Sequence, residues 1–231
     1  EGVIRDYAAV DIIKNIDYDF EKMRSDRVTQ LVIALRTQII DRFTKEYIQS
    51  ADSPVIVNLG AGLDTRELRY PTAKWYHLDL EAPITLRERF FGSKAQNITK
   101  SILDFSWIND IVERDNILFI IEGVLMYLNE EQVKALLTTI ATNFTNSRIV
   151  FDSVPPKLTN LTFHPSIDMS KAPFKWGLSD LSEIENWSED LESVIQQTYR
   201  REVEANREKL KDRYDLPYFD IDAKVNQLRT K

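Results

Sequence analysis

The run Ile117–Ile121 constrains the fold more than any other stretch of the sequence, because all of its residues are apolar. A strand without polar residues must be covered on both faces, which is typical of a parallel strand inside a sheet. The run Val55–Leu59 is also apolar, except at Asn58, and predicts a second buried strand. The sequence therefore favours an α/β fold in which a parallel sheet lies between layers of helices.

Helical and strand patterns alternate as far as residue 152 and then change. Apolar residues three and four positions apart predict a long helix over 28–48, and Asn129 with Gln132 gives the capping-box pattern of a later helix. Four prolines mark 154–178 as a long excursion. The other expected elements are strands at 75–79, 97–102, 148–152, 193–199 and 223–229, a short helix from residue 64, helices at 83–91, 105–113 and 181–187, and a charged, solvated helix at 200–213.

Composition and charge exclude several functions. The chain has no cysteine and only two histidines, His77 and His164, whose spacing does not suit a zinc site, so no metal is expected. The net charge of −7 disfavours binding to nucleic acid or to an anionic membrane. The sequence contains no apolar run long enough to cross a membrane and no signal peptide, so the cytoplasm is the expected location.

The length of 231 residues predicts a single domain over residues 1–231. Within it, we expect residues 1–50 to form an N-terminal helical cap and residues 154–180 to form a lid-like insertion. Because the chain begins with Glu1 instead of Met, a preceding segment can be missing. The sequence does not indicate the oligomeric state.

Chemically useful residues follow four successive predicted strands. In an open α/β sheet, ligands bind beyond the carboxyl ends of the strands. One of these residues alone is equally well explained as a tight turn or a helix cap, but four successive strand ends indicate a ligand site. The residues at these ends are Gly60-Ala61-Gly62, Asp79, Asp104 with Phe105, and Glu122 with Gly123.

These residue types suit a positively charged adenosine compound. The two glycines of the first turn allow the backbone to approach a ligand closely. Asp79 follows the first of them by about 20 residues, the spacing at which an acid reaches a ribose diol in dinucleotide folds. Asp104 can accept from an adenine amino group, Phe105 can cover the ring, and Glu122 can face an ammonium or a sulfonium.

Two adenosine cofactors, NAD(P) and S-adenosylmethionine, compete for such a site. A nicotinamide site favours the pattern G-x-G-x-x-G/A, whereas Thr65 takes the third small position here. Asp64 also places a negative charge where a pyrophosphate would meet a helix N-terminus. S-adenosylmethionine has no phosphate and avoids this repulsion.

The runs VIVNLGAGLDTR (residues 55–66) and IEGVLMYL (residues 121–128) resemble the leucine carboxyl methyltransferase family. The resemblance extends from Asp6 to the C-terminus and is greatest to a bacterial branch of small-molecule O-methyltransferases of polyketide biosynthesis. Further matching segments are Arg36-Thr37 with Asp41, and the runs at 75–79, 103–107 and 173–177.

The resemblance implies a class I methyltransferase fold, which is Rossmann-like. Helices cover both faces of a seven-stranded, mostly parallel sheet, and the last two strands form an antiparallel hairpin. The implied cofactor is S-adenosyl-L-methionine, with S-adenosyl-L-homocysteine as its product. The implied contacts are Gly60 and Gly62 with the methionine part of the cofactor, Asp79 with the ribose, Asp104 and Phe105 with the adenine, Glu122 with the methionine end, and Arg36 with the cofactor carboxylate.

Arg36 also stands out without the resemblance. It adjoins the apolar stripe of the predicted helix 28–48, where a guanidinium needs an anion as a partner. A carboxylate can satisfy it through two parallel hydrogen bonds. An ion pair with an acidic side chain of the protein is the alternative interpretation.

The predicted reaction is O-methylation, in which a carboxylate or hydroxyl oxygen of a small molecule displaces the methyl group directly. No catalytic residue is identified, although Tyr127 can contact the substrate and Asp152 can act as a base. We expect His77 to be packed and His164 to be a loop residue. Two alternatives are an NAD(P)-dependent Rossmann oxidoreductase and a catalytically silent binding protein with the S-adenosylmethionine fold.

Overall fold

The computed structural model describes residues 3–20, 26–92, 95–211 and 222–231. They include a seven-stranded sheet with the strand order β3-β2-β1-β4-β5-β7-β6. Strands β1 to β5 are parallel, and β7 is antiparallel to both of its neighbours, which confirms the expected sheet. The strands are β1 Val55–Leu59, β2 Lys74–Asp79, β3 Gln96–Thr99, β4 Ile117–Ile121, β5 Arg148–Ser153, β6 Leu191–Thr198 and β7 Lys224–Thr230.

The described helices follow the expected alternation with the strands. The capping box that was predicted for α5 is present, because the side chains of Asn129 and Gln132 each accept a hydrogen bond from the backbone N–H of the other residue. The α-helices are α1 Tyr7–Lys14, α2 Arg27–Ser50, α3 Arg66–Arg69, α4 Glu81–Phe91, α5 Glu130–Asn143, α6 Tyr199–Ala205 and α7 Arg207–Leu210, and the 3₁₀ helices are Phe105–Asp110, Leu125–Tyr127, Pro156–Asn160 and Leu181–Trp187.

Several boundaries differ from the sequence-based expectation. Strand β3 ends at Thr99 instead of residue 102, because the chain turns through Ser101, whose carbonyl accepts from the backbone N–H of Asp104. The predicted helix 105–113 is a 3₁₀ helix that ends at Asp110. The last two strands do pair, but helices α6 and α7 lie between them, so no tight turn joins them. Of the predicted helix 200–213, residues 212–213 lie outside the described residues.

Alternate residues of the central strands face two separate apolar cores. Ile56, Leu118 and Val150 point to the face that α2 covers with Leu31, Leu35 and Ile39 among others. Val57, Phe119 and Phe151 point to the opposite face, where α5 and Trp107 pack. This two-sided burial explains why β1 and β4 consist almost entirely of apolar residues. It also fixes α2 beside the carboxyl ends of β4 and β5.

The segment after β5 leaves the sheet and returns over its carboxyl edge. The backbone N–H of Lys175 donates to the carbonyl of Met126, and the N–H of Leu178 donates to that of Val154. Met126 and Val154 pack with Met169 and Phe174 in a small apolar cluster. The returning segment thus covers the strand ends from which the candidate site is built.

Candidate functional site

The glycine turn after β1 is tied to the end of β2. Gly60 has a φ of +77°, and a Cβ there would lie 2.4 Å from Cγ2 of Val124, so both the backbone conformation and the space require glycine. Its N–H donates to the carbonyl of Leu78 at 2.7 Å. The N–H of Gly62 donates to Oδ2 of Asp79 at 2.8 Å. These bonds hold Asp79 beside the glycine turn, as its place in the sequence predicts.

Two adjoining cavities run along these strand ends and together form what we call the groove. The cavity on the β2 side, of about 320 Å³, is lined by Asp79 and by residues that follow β3 and β4. The other, of about 400 Å³, is lined by the glycine turn, Arg36, Arg66 and the first described residues of the chain. Gly60 and Glu122 line both cavities, so the two cavities adjoin at these residues.

Only some of the residues that follow β3 line the groove. Its wall is formed there by Lys100, Ser101 and Ile102. Asp104 is exposed, and its carboxylate accepts from the backbone N–H of Ser106 at 3.1 Å, a hydrogen bond that lowers the pKa of Asp104. Phe105 packs against the apolar core. Neither residue lines the groove in this structure, so their adenine contacts stay predictions.

A buried ion network forms the inner wall of the groove, and Arg66 is its centre. The Arg66 side chain is 2% exposed, and its guanidinium contacts Asp41, Asp64 and Glu122 at 2.7 Å each. Burial acts to raise the pKa of Glu122, but the positive charges of Arg66 and Arg36 outweigh it and lower that pKa. Arg66 is not among the predicted site residues, because an arginine in a matching motif carries no sign of such burial.

Two buried donors of the network lack a hydrogen-bond partner among the described residues, namely Nη2 of Arg66 and Nε of Arg69, whose guanidinium also contacts Asp41. Nη2 of Arg66 is buried and makes no hydrogen bond to any described residue. Unused buried donors are rare because their desolvation is not compensated. A carboxylate in the groove would supply the missing acceptor, so this part of the groove fits the amino-acid end of an adenosyl amino acid. Asp64 is already engaged by Arg66 and by Nδ2 of Asn58.

Arg36 lies between the groove and a third cavity. Its Nε donates to Oε1 of Glu122 at 2.8 Å, and its Nη1 donates to Oδ2 of Asp152 at 3.0 Å. The place that a Cβ of Gly123 would take is 3.4 Å from the guanidinium, so Gly123 leaves room for it. Arg36 is thus paired with two carboxylates of the protein, and its contact with a cofactor carboxylate stays a prediction.

The third cavity, which we call the pocket, has a volume of about 270 Å³ and mostly apolar walls. Its polar groups include the two catalytic candidates, Tyr127 and Asp152, together with His164 and Tyr199. Sequence reasoning missed Tyr199, since it was expected to end a strand. The remaining lining residues are Val28, Thr29, Val32, Ile33, Arg36, Gly123, Met126, Ser153, Val154, Leu158, Leu161, Ile167, Phe174 and Ala223.

Asp152 is the pocket's most unusual polar group. Its Oδ1 accepts from the backbone N–H of Gly123 at 2.6 Å, and Oδ2 accepts from Arg36. Burial raises the pKa of Asp152, and the nearby Glu122 adds to that effect, although Arg36 opposes it. Tyr127 packs edge to face against Phe174 at a centroid distance of 5.6 Å.

The two histidines lie in different surroundings. His77 is fully buried, 2.6 Å from a carboxylate oxygen of Glu67 and 2.9 Å from Nη2 of Arg87, which confirms that it is packed. Arg87 also donates to the carbonyl of Asp64 at 2.7 Å and so supports the segment that follows the glycine turn. His164 lies in the segment after β5, and its Nδ1 accepts from the backbone N–H of Ser166.

The described residues contain neither a metal-binding cluster nor a membrane-spanning helix. Within 3–20, 26–92, 95–211 and 222–231, no group of three or more acidic or histidine side chains is arranged to hold a metal ion. None of the helices in these ranges is long and apolar enough to span a bilayer.

Comparisons with known sequences place the chain among methyltransferases. The family model "Leucine carboxyl methyltransferase" matches residues 2–141. The tetracenomycin polyketide synthesis O-methyltransferase TcmP of Streptomyces glaucescens is 24% identical over 190 residues, covering 80% of this chain and 70% of that protein. The S-adenosyl-L-methionine-dependent methyltransferase dpfgK of Gibberella zeae is 26% identical over 211 residues, covering 79% of this chain and 70% of that protein.

Solved structures confirm the fold. A DUF574 family protein from Streptomyces avermitilis superposes with a TM-score of 0.66 at 13% identity, covering 95% of this chain and 94% of that one. Magnesium protoporphyrin IX methyltransferase from Synechocystis, solved with S-adenosylmethionine bound, gives a TM-score of 0.58 at 11% identity and covers 100% of both chains. The sheet and its helical layers are those of the class I methyltransferases.

Proposed function

We propose that this chain, which belongs to the leucine carboxyl methyltransferase family, transfers the methyl group of S-adenosylmethionine to an oxygen atom of a small molecule. The chain is a methyltransferase by family, and S-adenosylmethionine is its cofactor. The oxygen acceptor is the part that goes beyond the family. A small-molecule acceptor is supported above all by the apolar pocket that meets the groove at Arg36 and Gly123, and an oxygen acceptor by the similarity to the O-methyltransferase TcmP.

The groove supports the cofactor assignment residue by residue. Asp79 keeps lone pairs free for a ribose diol, because each of its oxygens accepts only one backbone N–H, from Leu80 and from Gly62. The unused Nη2 of Arg66 suits the cofactor's carboxylate, and the ionised Glu122 suits its ammonium. Gly62 has no atom within 4 Å of the place a Cβ would take, so the turn leaves the groove open.

When bound, the cofactor supplies an electrophilic methyl group on a positively charged sulfur. The protein's contribution is then alignment, because holding two reactants in line removes much of the entropic barrier. Arg36 and Gly123 lie at the junction where the groove and the pocket meet. The mostly apolar walls of the pocket offer water few hydrogen-bond partners, which limits its competition with the acceptor oxygen.

The pocket supports a small apolar acceptor. Met126, Val154 and Phe174 form a buried cluster on one side of it. Further wall residues come from α2, through Val28, Val32 and Ile33. Such walls favour an apolar body, with its reactive oxygen directed to the polar end at Arg36 and Asp152.

A thermal-shift titration tests the cofactor half of the proposal. We expect S-adenosylmethionine and S-adenosylhomocysteine to raise the melting temperature, and NADH and NADPH to leave it unchanged. Asp79→Ala is expected to weaken binding of both sulfur compounds at least tenfold, whereas Asp115→Ala, an exposed aspartate at the other end of the sheet, leaves it unchanged. Stabilisation by the nicotinamide compounds alone would favour a Rossmann oxidoreductase instead.

Product analysis tests the transfer itself. The protein is incubated with S-adenosylmethionine and a panel of phenols and carboxylic acids, and methyl ethers and methyl esters are sought by mass spectrometry. We expect an oxygen-methylated product. Tight binding of S-adenosylhomocysteine without methylation of any acceptor would identify a silent binding protein.

A further inference from the structure

The carboxylate of Asp152 faces the pocket and has spare accepting capacity. Asp152 is the penultimate residue of β5, its side chain is 4% exposed, and the residue lines the pocket but not the groove. Its two oxygens accept one hydrogen bond each, from Gly123 and from Arg36. An ionised carboxylate has about four lone-pair sites, so each oxygen can accept a second hydrogen bond. That bond can come from a hydroxyl group in the pocket.

Charge at this end of the pocket disfavours a second carboxylate. Arg36 is the one arginine or lysine among the described pocket-lining residues, and it already serves Glu122 and Asp152. The carboxylate of an acidic acceptor would therefore meet Asp152 without a cation of its own, in surroundings where burial strengthens repulsion. A neutral hydroxyl group meets no such penalty and offers Asp152 a proton.

Tyr199 supplies a second contact that suits the same group. It is 1% exposed, lines the pocket and makes no side-chain hydrogen bond to any described residue. Tyr199, Asp152 and Arg36 line the same pocket, and the charges of Asp152 and Arg36 act on the pKa of Tyr199. Burial raises the pKa of Tyr199, so its hydroxyl stays protonated and can donate to an acceptor oxygen.

We infer, on the premise of the proposed function, that the acceptor is a neutral apolar molecule with a hydroxyl group, that Asp152 is the general base and that Tyr199 positions the oxygen. The O–H bond of the acceptor breaks, and its proton passes to a carboxylate oxygen of Asp152. The oxygen's electron pair forms the new bond to the methyl carbon, while the carbon–sulfur bond breaks and its pair stays on sulfur. Asp152 then releases the proton to solvent.

The electrostatic surroundings of Asp152 set the pH range of this reaction. Burial raises the pKa of Asp152 and Glu122, which directly follows β4, adds to the rise, whereas Arg36 of α2 and the hydrogen bond from Gly123 lower it, and the net direction is upward. Tyr199 of α6, Tyr127 and His164 complete the titratable groups on the pocket wall. The transfer rate is therefore expected to fall as the pH drops through this raised pKa, at a higher pH than for an ordinary aspartate.

Acceptor binding to the protein saturated with S-adenosylhomocysteine gives the first test. The probes are 2-naphthol and 2-naphthoate, two molecules with the same ring system, and their affinities are measured by calorimetry. We expect wild-type protein to bind 2-naphthol at least tenfold more tightly. Asp152→Asn should narrow or reverse this preference because it removes the repelling charge, and Asp115→Asn, the same change at a remote exposed site, should preserve it.

Turnover with 2-naphthol gives the second test. Asp152→Asn is expected to lower kcat at least 100-fold, as is typical when a general base is lost, with the affinity for S-adenosylhomocysteine retained. Tyr199→Phe is expected to raise KM several-fold and to leave the pH profile unchanged. If Asp152 had only a structural role, the residual activity of Asp152→Asn would still fall at low pH as the wild-type activity does.

The outcomes separate this inference from the proposed function. Preferential binding and methylation of 2-naphthoate overturn the inference, as does full activity of Asp152→Asn. Retained binding of S-adenosylhomocysteine without preference for the hydroxyl probe overturns it too, and leaves the cofactor site standing. If neither S-adenosylmethionine nor S-adenosylhomocysteine binds, the proposed function fails as well.

Discussion

The groove and the pocket meet at Arg36 but are built in opposite ways. The groove is the more polar of the two, and backbone hydrogen bonds at strand ends and the ion network around Arg66 form part of its walls. The pocket is apolar, and its walls come from α2, from the segment after β5 and from α6. Their carboxylates differ accordingly, since the pKa of Glu122 is lowered and that of Asp152 is raised. The construction of the groove suits the cofactor, which is a common reagent, whereas the construction of the pocket suits an acceptor that can vary.

The largest expected effect is the collapse of the groove when its central cation is removed. Arg66→Met leaves three carboxylates, those of Asp41, Asp64 and Glu122, with too little positive charge. We expect a loss of about 3–5 kcal/mol in the free energy of unfolding, as is typical when one partner of a buried ion pair is removed. Urea denaturation measures it, and Arg207→Met, on the exposed side of α7, is the control. A loss below about 1 kcal/mol would contradict the network's structural importance.

A pair of glycine substitutions separates steric clash from backbone strain in the groove. Gly60→Ala combines a positive φ with a clash against Val124, and we expect it to cost about 2–4 kcal/mol. Gly62→Ala has a positive φ but open space, and we expect about 1–2 kcal/mol. Adding Val124→Ala to Gly60→Ala should restore part of the lost stability. Equal unfolding free energies for the two single variants would show that the clash is relieved elsewhere.

Acid titration of stability contrasts the two regions directly. The pKa of Glu122 is lowered from 4.5 in the folded state, so its stabilising contribution is complete above pH 4.5 and is lost as the pH falls through the lowered pKa. The pKa of Asp152 is raised from 3.8, so its contribution has the opposite sign, and stability decreases as the pH rises from 3.8 through the raised pKa.

Two variants resolve these opposing contributions. We expect Glu122→Gln to make the loss of stability in acid shallower, and Asp152→Asn to make it steeper. Denaturant unfolding between pH 3 and pH 7 gives the unfolding free energy of each variant as a function of pH. The slope of each curve is compared with the wild-type slope, so a loss of stability that does not depend on pH leaves the comparison unaffected. Slopes that change in the same direction would refute the contrast between the two carboxylates.

The smallest expected effect is in the pocket wall. Leu158 is half-buried and lines the pocket without touching the groove, so Leu158→Ala should lower the unfolding free energy by only about 1 kcal/mol. We expect KM for the acceptor to rise about three- to tenfold, because a loss of 1.4 kcal/mol in binding is a factor of ten. Calorimetry with S-adenosylhomocysteine should give an unchanged affinity, and a weakened one would mean that the wall also shapes the groove.

The sequence predicted the groove better than the pocket for a physical reason. β1 and β4 were placed at their observed bounds because burial on both faces leaves an uninterrupted apolar pattern. The groove follows from those strands, since the residues after them must lie at one edge of the sheet. The pocket is assembled from segments far apart in the sequence, and no periodicity connects Val28 with Phe174.

Particular residues show the same limit. Tyr199 begins α6 at the point where a strand was expected to end, so its place in the pocket was not foreseen. Strand β6 is largely exposed and has an irregular register between Ser193 and Ile195, which blurs its alternation and its bounds. Arg66 has no local pattern that marks it as buried, because its partners Asp41 and Glu122 come from other elements.

The single guanidinium of Arg36 contacts carboxylates of both the groove and the pocket. Its Nε holds a carboxylate of the groove and its Nη1 holds a carboxylate of the pocket. A ligand that alters either bond changes the geometry available to the other ligand. Thermodynamic linkage then requires cofactor and acceptor to change each other's affinity by the same factor. A single side chain would then couple the two ligands, and the order in which they arrive would not alter the coupling free energy.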